Sequence, residues 1–116
     1  MPKPTGPTNP VLRELILLLR KRKEGVWRRA AELLLRPTRR RVEVNLGKIS
    51  RYADKGTLLV PGVVLAAGSL EKPVTVAAFR FSEQARKKIL EAGGRPIGIK
   101  ELLEENPEGK GVTIII

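Results

Sequence analysis

Residues 74–94, VTVAAFRFSEQARKKILEAGG, indicate the fold class more clearly than any other stretch of the chain. The run from Val74 to Phe79 is short and mostly apolar, which is typical of a buried strand. Ser82 then precedes a helical pattern from Glu83 to Ala92, and a serine in this position caps the first helical turn. The two glycines that follow end the helix, because glycine readily adopts the backbone conformation of a helix terminus. The stretch therefore predicts one strand–helix unit closed by glycine.

A loose repeat of this unit lies on both sides of it along the chain. Before it, residues 42–44 alternate like a strand, and Asn45 is placed to cap a short helix. After it, residues 97–99 are strand-like and residues 101–105 are helical. Three strand–helix units of unequal length therefore predict an α/β domain over residues 42–116.

Two further apolar segments complete the predicted domain. Residues 57–65 contain two short apolar runs, and Pro61-Gly62 between them is typical of a tight turn. Residues 112–116 form a last apolar run, which we expect to be a core strand because a free end would leave it in water. These patterns predict which segments are strands, and they do not predict the order of the strands in the sheet.

The segment before residue 42 begins with a proline-rich arm. Residues 1–8 hold three prolines, one glycine and almost nothing to bury, so we expect them to be extended. Asn9-Pro10 is a helix-start signal, since asparagine caps helices and proline fits the first helical position. Apolar residues recur at helical spacing behind it, and Gly25 is predicted to end this first helix.

A second helix is predicted from Val26 to Leu35. Trp27 falls on its apolar face, so we expect this ring in the core rather than stacked on a nucleic-acid base. Tyr52, which stands beside an arginine, is left open between these two roles. The arm and the two helices form a basic segment, residues 1–41, that precedes the α/β domain at residues 42–116.

The charge is divided unevenly along the chain. The formal net charge is +11, and residues 1–55 carry 15 basic and 5 acidic side chains, whereas residues 56–116 carry 8 and 7. A basic excess confined to one half is typical of a surface that meets a polyanion. Nucleic acid is the first candidate and an anionic membrane the second. We expect no membrane span, because no apolar stretch is long enough to cross a bilayer. We expect no secretory signal, because no apolar stretch follows the basic start of the chain.

The sequence contains no His and no Cys, which excludes several classes of enzyme and metal protein. Imidazole bases, thiolate nucleophiles, disulfides and zinc sites built on these residues are all absent. The carboxylates lack the spacing of an acid–base pair, and one acidic run is typical of the solvent face of a short helix: Glu101, Glu104, Glu105 and Glu108. We therefore expect no catalytic activity, no metal or other cofactor, and no small-molecule substrate. A small enzyme that depends on carboxylates or lysine is the last-ranked alternative.

The densest basic cluster lies between residues 20 and 41, where ten cations are accompanied by two acidic residues. Their mutual repulsion destabilises a folded chain unless phosphates neutralise it, and the planar guanidinium of arginine binds phosphate oxygens with two hydrogen bonds. An ordinary solvated basic surface is the alternative. Residues 86–88 form a second, shorter basic run, and the helix that carries it is a second candidate surface. The candidate nucleic-acid-binding residues are cations of the first half: Lys3, Arg20, Lys21, Arg22, Lys23, Arg28, Arg29, Arg36, Arg39, Arg40, Arg41, Lys48 and Arg51.

Short motifs follow one another along almost the whole chain. They are Thr8-Asn9-Pro10 with the leucine-rich helix after it, Pro37-Thr38-Arg39-Arg40, Val42-Glu43-Val44-Asn45, Ile49-Ser50-Arg51-Tyr52, Val60-Pro61-Gly62, Val64-Leu65 with Gly68, residues 74–79, Phe81-Ser82, Lys88-Ile89, Ala92-Gly93-Gly94, Asn106-Pro107 and Gly109. In this order they resemble the L-eighteen-e family of archaeal and eukaryotic large-subunit ribosomal proteins, which is related to bacterial L-fifteen. Ala66 departs from the resemblance, since such sequences often carry glycine there.

The resemblance implies a structural constituent of the large ribosomal subunit, in the cytoplasm, whose partners are large-subunit rRNA and neighbouring ribosomal proteins. It implies an irregular superhelical α/β domain of repeated strand–strand–helix turns, here preceded by the basic helical segment, and it carries over no catalytic residue. RNA would be held mainly by phosphate contacts and shape, since side chains do not reach the base edges in the major groove of A-form RNA. A DNA-compacting architectural protein that uses the same charges is the alternative.

Overall fold

The computed structural model describes residues 10–36 and 41–116, which form a mixed α/β structure around a parallel sheet. This part of the chain contains five α-helices and five strands, and one 3-10 turn at Ala53–Lys55. The helices are α1 (Pro10–Arg20), α2 (Gly25–Leu34), α3 (Leu46–Arg51), α4 (Glu83–Glu91) and α5 (Ile99–Glu105). The strands are β1 (Val42–Asn45), β2 (Thr57–Leu65), β3 (Thr75–Phe81), β4 (Arg95–Gly98) and β5 (Val112–Ile114).

Each pair of neighbouring strands in the described sheet is parallel, in the order β1-β2-β3-β4, and β5 also pairs with β2. Because β3 occupies one side of β2, the strands β1 and β5 share the other side. β5 pairs with Thr57–Leu59 and β1 pairs with Gly62–Leu65. Ile115 extends the pairing of β5 by donating its N–H to the carbonyl oxygen of Leu59 at 2.9 Å. The predicted last strand therefore belongs to the sheet.

Helices cover both faces of the sheet, which is how parallel sheets bury their strands. On one face, α3 and α4 pack around side chains that include Leu58 and Val76. On the other face, α1, α2 and α5 pack around a second set that includes Leu59, Ala77 and Trp27. Consecutive residues of β2 and β3 thus point into two separate cores. The apolar faces predicted for the first two helices are confirmed, since both are buried against the sheet.

The three predicted strand–helix units are confirmed in order. β1 leads into α3, β3 into α4 and β4 into α5, and each helix starts within two residues of the end of its strand. Ser82 caps α4 as predicted, because its Oγ accepts a hydrogen bond from the N–H of Ala85 at 3.1 Å. Asn45 precedes α3 in an extended conformation, but its side chain makes no capping hydrogen bond. The superhelical arrangement implied by the resemblance stays an expectation.

The predicted turn at Pro61-Gly62 is wrong, because β2 runs through both residues. The register between β2 and β3 shifts between Val60 and Val63, so the two residues form a bulge inside the strand. Pro61, which has no N–H to donate, lies where the partner of β2 changes from β5 to β1. Gly62 lies so near β1 that a Cβ atom there would be 2.0 Å from the carbonyl oxygen of Val42. The residue types that usually form a turn here allow β1 to pair closely with β2.

The prediction that Gly25 ends the first helix is wrong. Gly25 is the first residue of the second helix. α1 ends at Arg20, and the chain turns before α2 with Glu24 at the N-cap position in an extended conformation. The turn holds the paired side chains of Arg22 and Glu24, a contact that helical periodicity does not reveal. Ile99, predicted in a strand, is similarly the first residue of α5.

The basic segment predicted at residues 1–41 lies partly within the described residues. Its helices share a core with the sheet, and the division of the chain at residue 42 stays a prediction. The predicted arm at residues 1–8, Asn9 of the predicted helix start and the basic stretch 37–40 lie outside the described residues. Pro10 is the first residue of α1, as predicted. In the part of the chain that the structure describes, no helix has the length and hydropathy of a membrane span, and no three acidic side chains are grouped to hold a metal ion.

Candidate nucleic-acid interface

The outer side of α1 and α2 carries cations without acidic partners. Most apolar residues of both helices face the sheet, so most charged residues on their outer side are left in solvent. Six of these cations are exposed and form no ion pair within residues 10–36 and 41–116: Arg13, Arg20, Lys21, Lys23, Arg28 and Arg36. Together they form a positively charged surface, here called the α1–α2 surface.

Arg22, in the middle of the same basic run, is occupied by contacts within the protein. Its guanidinium donates to both carboxylate oxygens of Glu24, at 3.0 and 2.9 Å, and to the carbonyl oxygen of Pro107 at 3.0 Å. The hydrogen bond from Arg22 is the main reason that the pKa of the Glu24 carboxyl lies below its ordinary value. Arg22 therefore holds the turn between the two helices against the loop that contains Pro107.

Trp27 is part of the core, as its place on the apolar helix face predicts. It is fully buried, and its Nε1 donates to the carbonyl oxygen of Pro107 at 2.8 Å. The same oxygen thus accepts hydrogen bonds from Trp27 in α2 and from Arg22 in the preceding turn. This shared acceptor fixes the basic turn relative to the C-terminal part of the domain, and the indole ring is not available to stack on a base.

Two further candidate arginines have partial partners. Arg29 pairs with Glu32 at 3.2 Å in an exposed position, where such a pair contributes little to stability. Arg41 donates to the carbonyl oxygen of Arg36 at 3.3 Å, and its Nε is buried without a hydrogen-bond partner in the described part of the chain. The remaining predicted candidates of this region lie outside the described residues: Lys3, Arg39 and Arg40.

Lys48 and Arg51 lie on α3, which covers the opposite face of the sheet from α1 and α2. Both side chains are exposed, and the Nζ of Lys48 donates to the carbonyl oxygen of Ile116. The predicted candidates that the structure describes are therefore divided between two faces of the sheet rather than joined in one patch. Tyr52, whose role the sequence leaves open, is half-buried and packs against the core on the α3 side.

Two arginines of the second half lie over aromatic rings, and neither is among the predicted candidates. The Cζ of Arg80 is 5.8 Å from the ring centroid of Phe79, and that of Arg86 is 5.4 Å from the ring centroid of Phe81. Both arginines are exposed, and neither forms an ion pair with any residue that the structure describes. Arg86 belongs to the second basic run, whereas the only sequence signal for Arg80 is its place between two phenylalanines.

Most other cations of the second half have partners within the protein. Lys88 donates to the carbonyl oxygens of Ala66 and Gly68, at 3.0 and 3.3 Å, and so ties that loop to α4. Three more form ion pairs: Lys72 with Asp54 at 3.2 Å, Arg95 with Glu105 at 2.7 Å and Lys110 with Glu108 at 3.1 Å. Among the described residues, the basic excess is therefore least balanced on the N-terminal half.

Known ribosomal proteins are similar to the chain over nearly its whole length. Residues 43–97 match the family of ribosomal proteins that comprises 50S-L15, 50S-L18e and their 60S counterpart. The chain is 52% identical to large ribosomal subunit protein eL18 of Methanopyrus kandleri, over 97% of this chain and 96% of that one. It is 46% identical to the eL18 protein of Pyrobaculum aerophilum, over 99% and 98% of the two chains, and 50% identical to that of Methanococcus maripaludis, over 93% and 94%. The family that the short motifs predict is thereby confirmed, and the chain belongs to the family of large ribosomal subunit protein eL18.

Proposed function

We propose that the protein is a structural constituent of the large ribosomal subunit, in the cytoplasm, and binds large-subunit rRNA with the cations of its N-terminal half. Its family supports the first part, since the relatives compared above are named as large-subunit proteins. One observation carries the second part: the cations of the α1–α2 surface are exposed and have no acidic partner among the described residues. Neighbouring ribosomal proteins are its further partners, and it is not an enzyme.

Contact with phosphates explains this surface better than reading of base edges. Arginine presents a planar fork to phosphate oxygens and lysine a compact charge, and neither needs a particular sequence. The deep major groove of A-form RNA keeps base edges from side chains. The surface is also held in place, because α1 and α2 pack on the sheet and the turn between them is fixed through Arg22 and Trp27. Binding therefore orders few side chains beyond the lysines and arginines themselves.

The salt dependence of binding to protein-free large-subunit rRNA tests this proposal. The triple variant Lys21→Ala, Lys23→Ala, Arg28→Ala removes three unpaired cations of the α1–α2 surface. The control variant removes three paired cations of the second half: Lys72→Ala, Arg95→Ala and Lys110→Ala. Each neutralised phosphate contributes roughly 0.7–0.9 to the slope of log affinity against log salt. We expect the first variant to flatten this slope by about 2 to 3, and the control to flatten it by less than about 1.

Folding of both variants is checked first by their melting temperatures, because the stems of lysine and arginine also pack on apolar surface. Equal flattening in the two variants would show that binding follows the total charge and not the α1–α2 surface. Duplex DNA must bind more weakly than rRNA at the same salt concentration. Tighter binding to the duplex would contradict a role in rRNA recognition.

A further inference from the structure

A cavity of about 190 Å³ opens between α1 and the carboxyl ends of β3 and β4. Its lining is mostly apolar and includes Leu15, Leu18, Phe79 and Ile99. It also includes one acidic side chain, Glu14, and one basic side chain, Lys100. Val11, which also lines it, is 67% exposed although α1 is otherwise buried on its apolar side. An open apolar cavity beside an exposed aliphatic side chain is typical of a site that a partner covers.

Free cations stand beside the aromatic wall of this cavity. Arg80 follows Phe79 and lies over its ring, and Lys100 is itself part of the lining. Both cations are exposed, and neither has an acidic partner in the part of the chain that the structure describes. The last pairing of β3 with β4 joins Ala78 to Gly98, so Phe79 and Arg80 extend beyond it. The partner that fits this site has a flat apolar part and negative charge next to it.

We propose that this cavity binds an unpaired base of rRNA, whose neighbouring phosphates are held by Arg80 and Lys100. The inference rests on the proposed function and adds a second, different contact to it. Unpaired bases splay out of folded RNA and stack on aromatic side chains, which gives Phe79 its role. The carboxylate of Glu14 is an acceptor for the amino group of adenine, guanine or cytosine, and uracil lacks that group. An apolar side chain of a protein would fill the cavity but leave both cations without an anion.

Fluorescence of 2-aminopurine, which falls when the base stacks, provides the test. The probe is a single-stranded RNA pentanucleotide with one central 2-aminopurine between uridines, titrated into the full chain. Phe79→Leu keeps an apolar side chain and removes the ring. Phe81→Leu is the matched control. It removes the other ring that an arginine covers, and this ring does not line the cavity. We expect Phe79→Leu to weaken binding of the probe by roughly fivefold or more, and the control to leave it unchanged. Lys100→Gln should flatten the salt slope by about 0.7.

Two results would overturn the proposal. They are unchanged fluorescence when the wild-type chain binds, and equal weakening by the two leucine variants at matched melting temperatures. Either would leave the cavity to a side chain of a neighbouring protein.

The Lys21→Ala, Lys23→Ala, Arg28→Ala variant separates this inference from the proposed function. If that variant flattens the rRNA slope while Phe79→Leu binds the probe normally, the cavity proposal fails alone. If Phe79→Leu weakens probe binding while the triple variant keeps the wild-type slope, the α1–α2 interface fails alone.

Discussion

Replacing Gly62 by alanine should loosen β1 from the sheet, because the two strands are closer at this residue than a side chain allows. A Cβ atom at Gly62 would lie 2.0 Å from the carbonyl oxygen of Val42 and 3.0 Å from its Cβ. An ordinary contact is 3.4–4 Å, so the strands must separate by more than an ångström. The paired stretch from Val42 to Asn45 is only four residues long, and it has little pairing to lose before it detaches.

We expect the free energy of unfolding to fall as it does when a core is overpacked, by about 1–3 kcal/mol or more. For a chain of this length one kcal/mol shifts the melting temperature by roughly 4 °C, so Gly62→Ala should lower it by about 4–12 °C in calorimetry. Hydrogen exchange should accelerate first at the amides of β1, since the strain falls there.

Gly47→Ala is the matched control, because the same change occurs where there is room. The nearest atoms to a Cβ at Gly47 are 3.8 Å away, and the residue lies inside α3. Alanine is favoured over glycine in a helix by about 0.5–1 kcal/mol, so this variant should melt at the same or a higher temperature. If Gly62→Ala melts with the wild type, the close pairing of β1 with β2 is wrong. If both variants are equally destabilised, the effect is not specific to the bulge.

Two other predictions concern β5 and the basic turn. Ile115→Ala should cost about 2–5 kcal/mol in urea unfolding, because Ile115 is buried; Ile116→Ala, at an exposed residue, is the control and should change little. The pKa of Glu24 is lowered from its ordinary 4.5 by the hydrogen bond from Arg22, so its stabilising effect is full above pH 4.5 and is lost as the pH falls below that value. Glu24→Gln should therefore lower the melting temperature at pH 7 and lower it less at pH 3, and an equal loss at both pH values would contradict the ion pair.

The strand–helix units could be predicted because their signals are local. Ser82 marks the start of α4 a few residues from the groups it caps, and the apolar spacing of α1 lies within a single helix. The failures at Gly25 and Pro61-Gly62 have different causes. Gly25 lies next to a turn, as its residue type predicts, but on the side where α2 begins. The role of Pro61-Gly62 depends on the close pairing with β1, which is distant in the sequence.

The sheet order was not predictable, since it depends on which distant segments pair. β5 and β1 share one side of β2 although they are far apart in the sequence, and neither strand carries a signal for the other. The apolar character of residues 112–116 did predict burial, and Ile115 confirms it, whereas Ile116 is exposed. The hydrophobicity of a segment thus predicts that it is buried, but it does not predict which other segment it packs against.

For the candidate interface, the sequence shows where cations are dense but not which are free. Lys21 and Arg22 are neighbours with the same charge, yet Arg22 is bonded to Glu24 and to the carbonyl oxygen of Pro107, and Lys21 has no ion pair among the described residues. The partner Pro107 is 85 residues away, so no local pattern separates the two cations. That the free cations bind RNA stays a prediction for the salt titration to test.

The turn between α1 and α2 meets two requirements that oppose each other. For the proposed binding of phosphate its lysines must be unpaired, but unpaired like charges repel and destabilise the folded state. The contacts that hold the turn do not use these lysines: Trp27 is buried, and Pro107 accepts hydrogen bonds from it and from Arg22. Since repulsion between exposed charges is screened by salt, we expect the folded turn to persist without RNA. Phosphates bound there would remove the repulsion and, by binding only the folded state, stabilise the same turn that presents the cations to them.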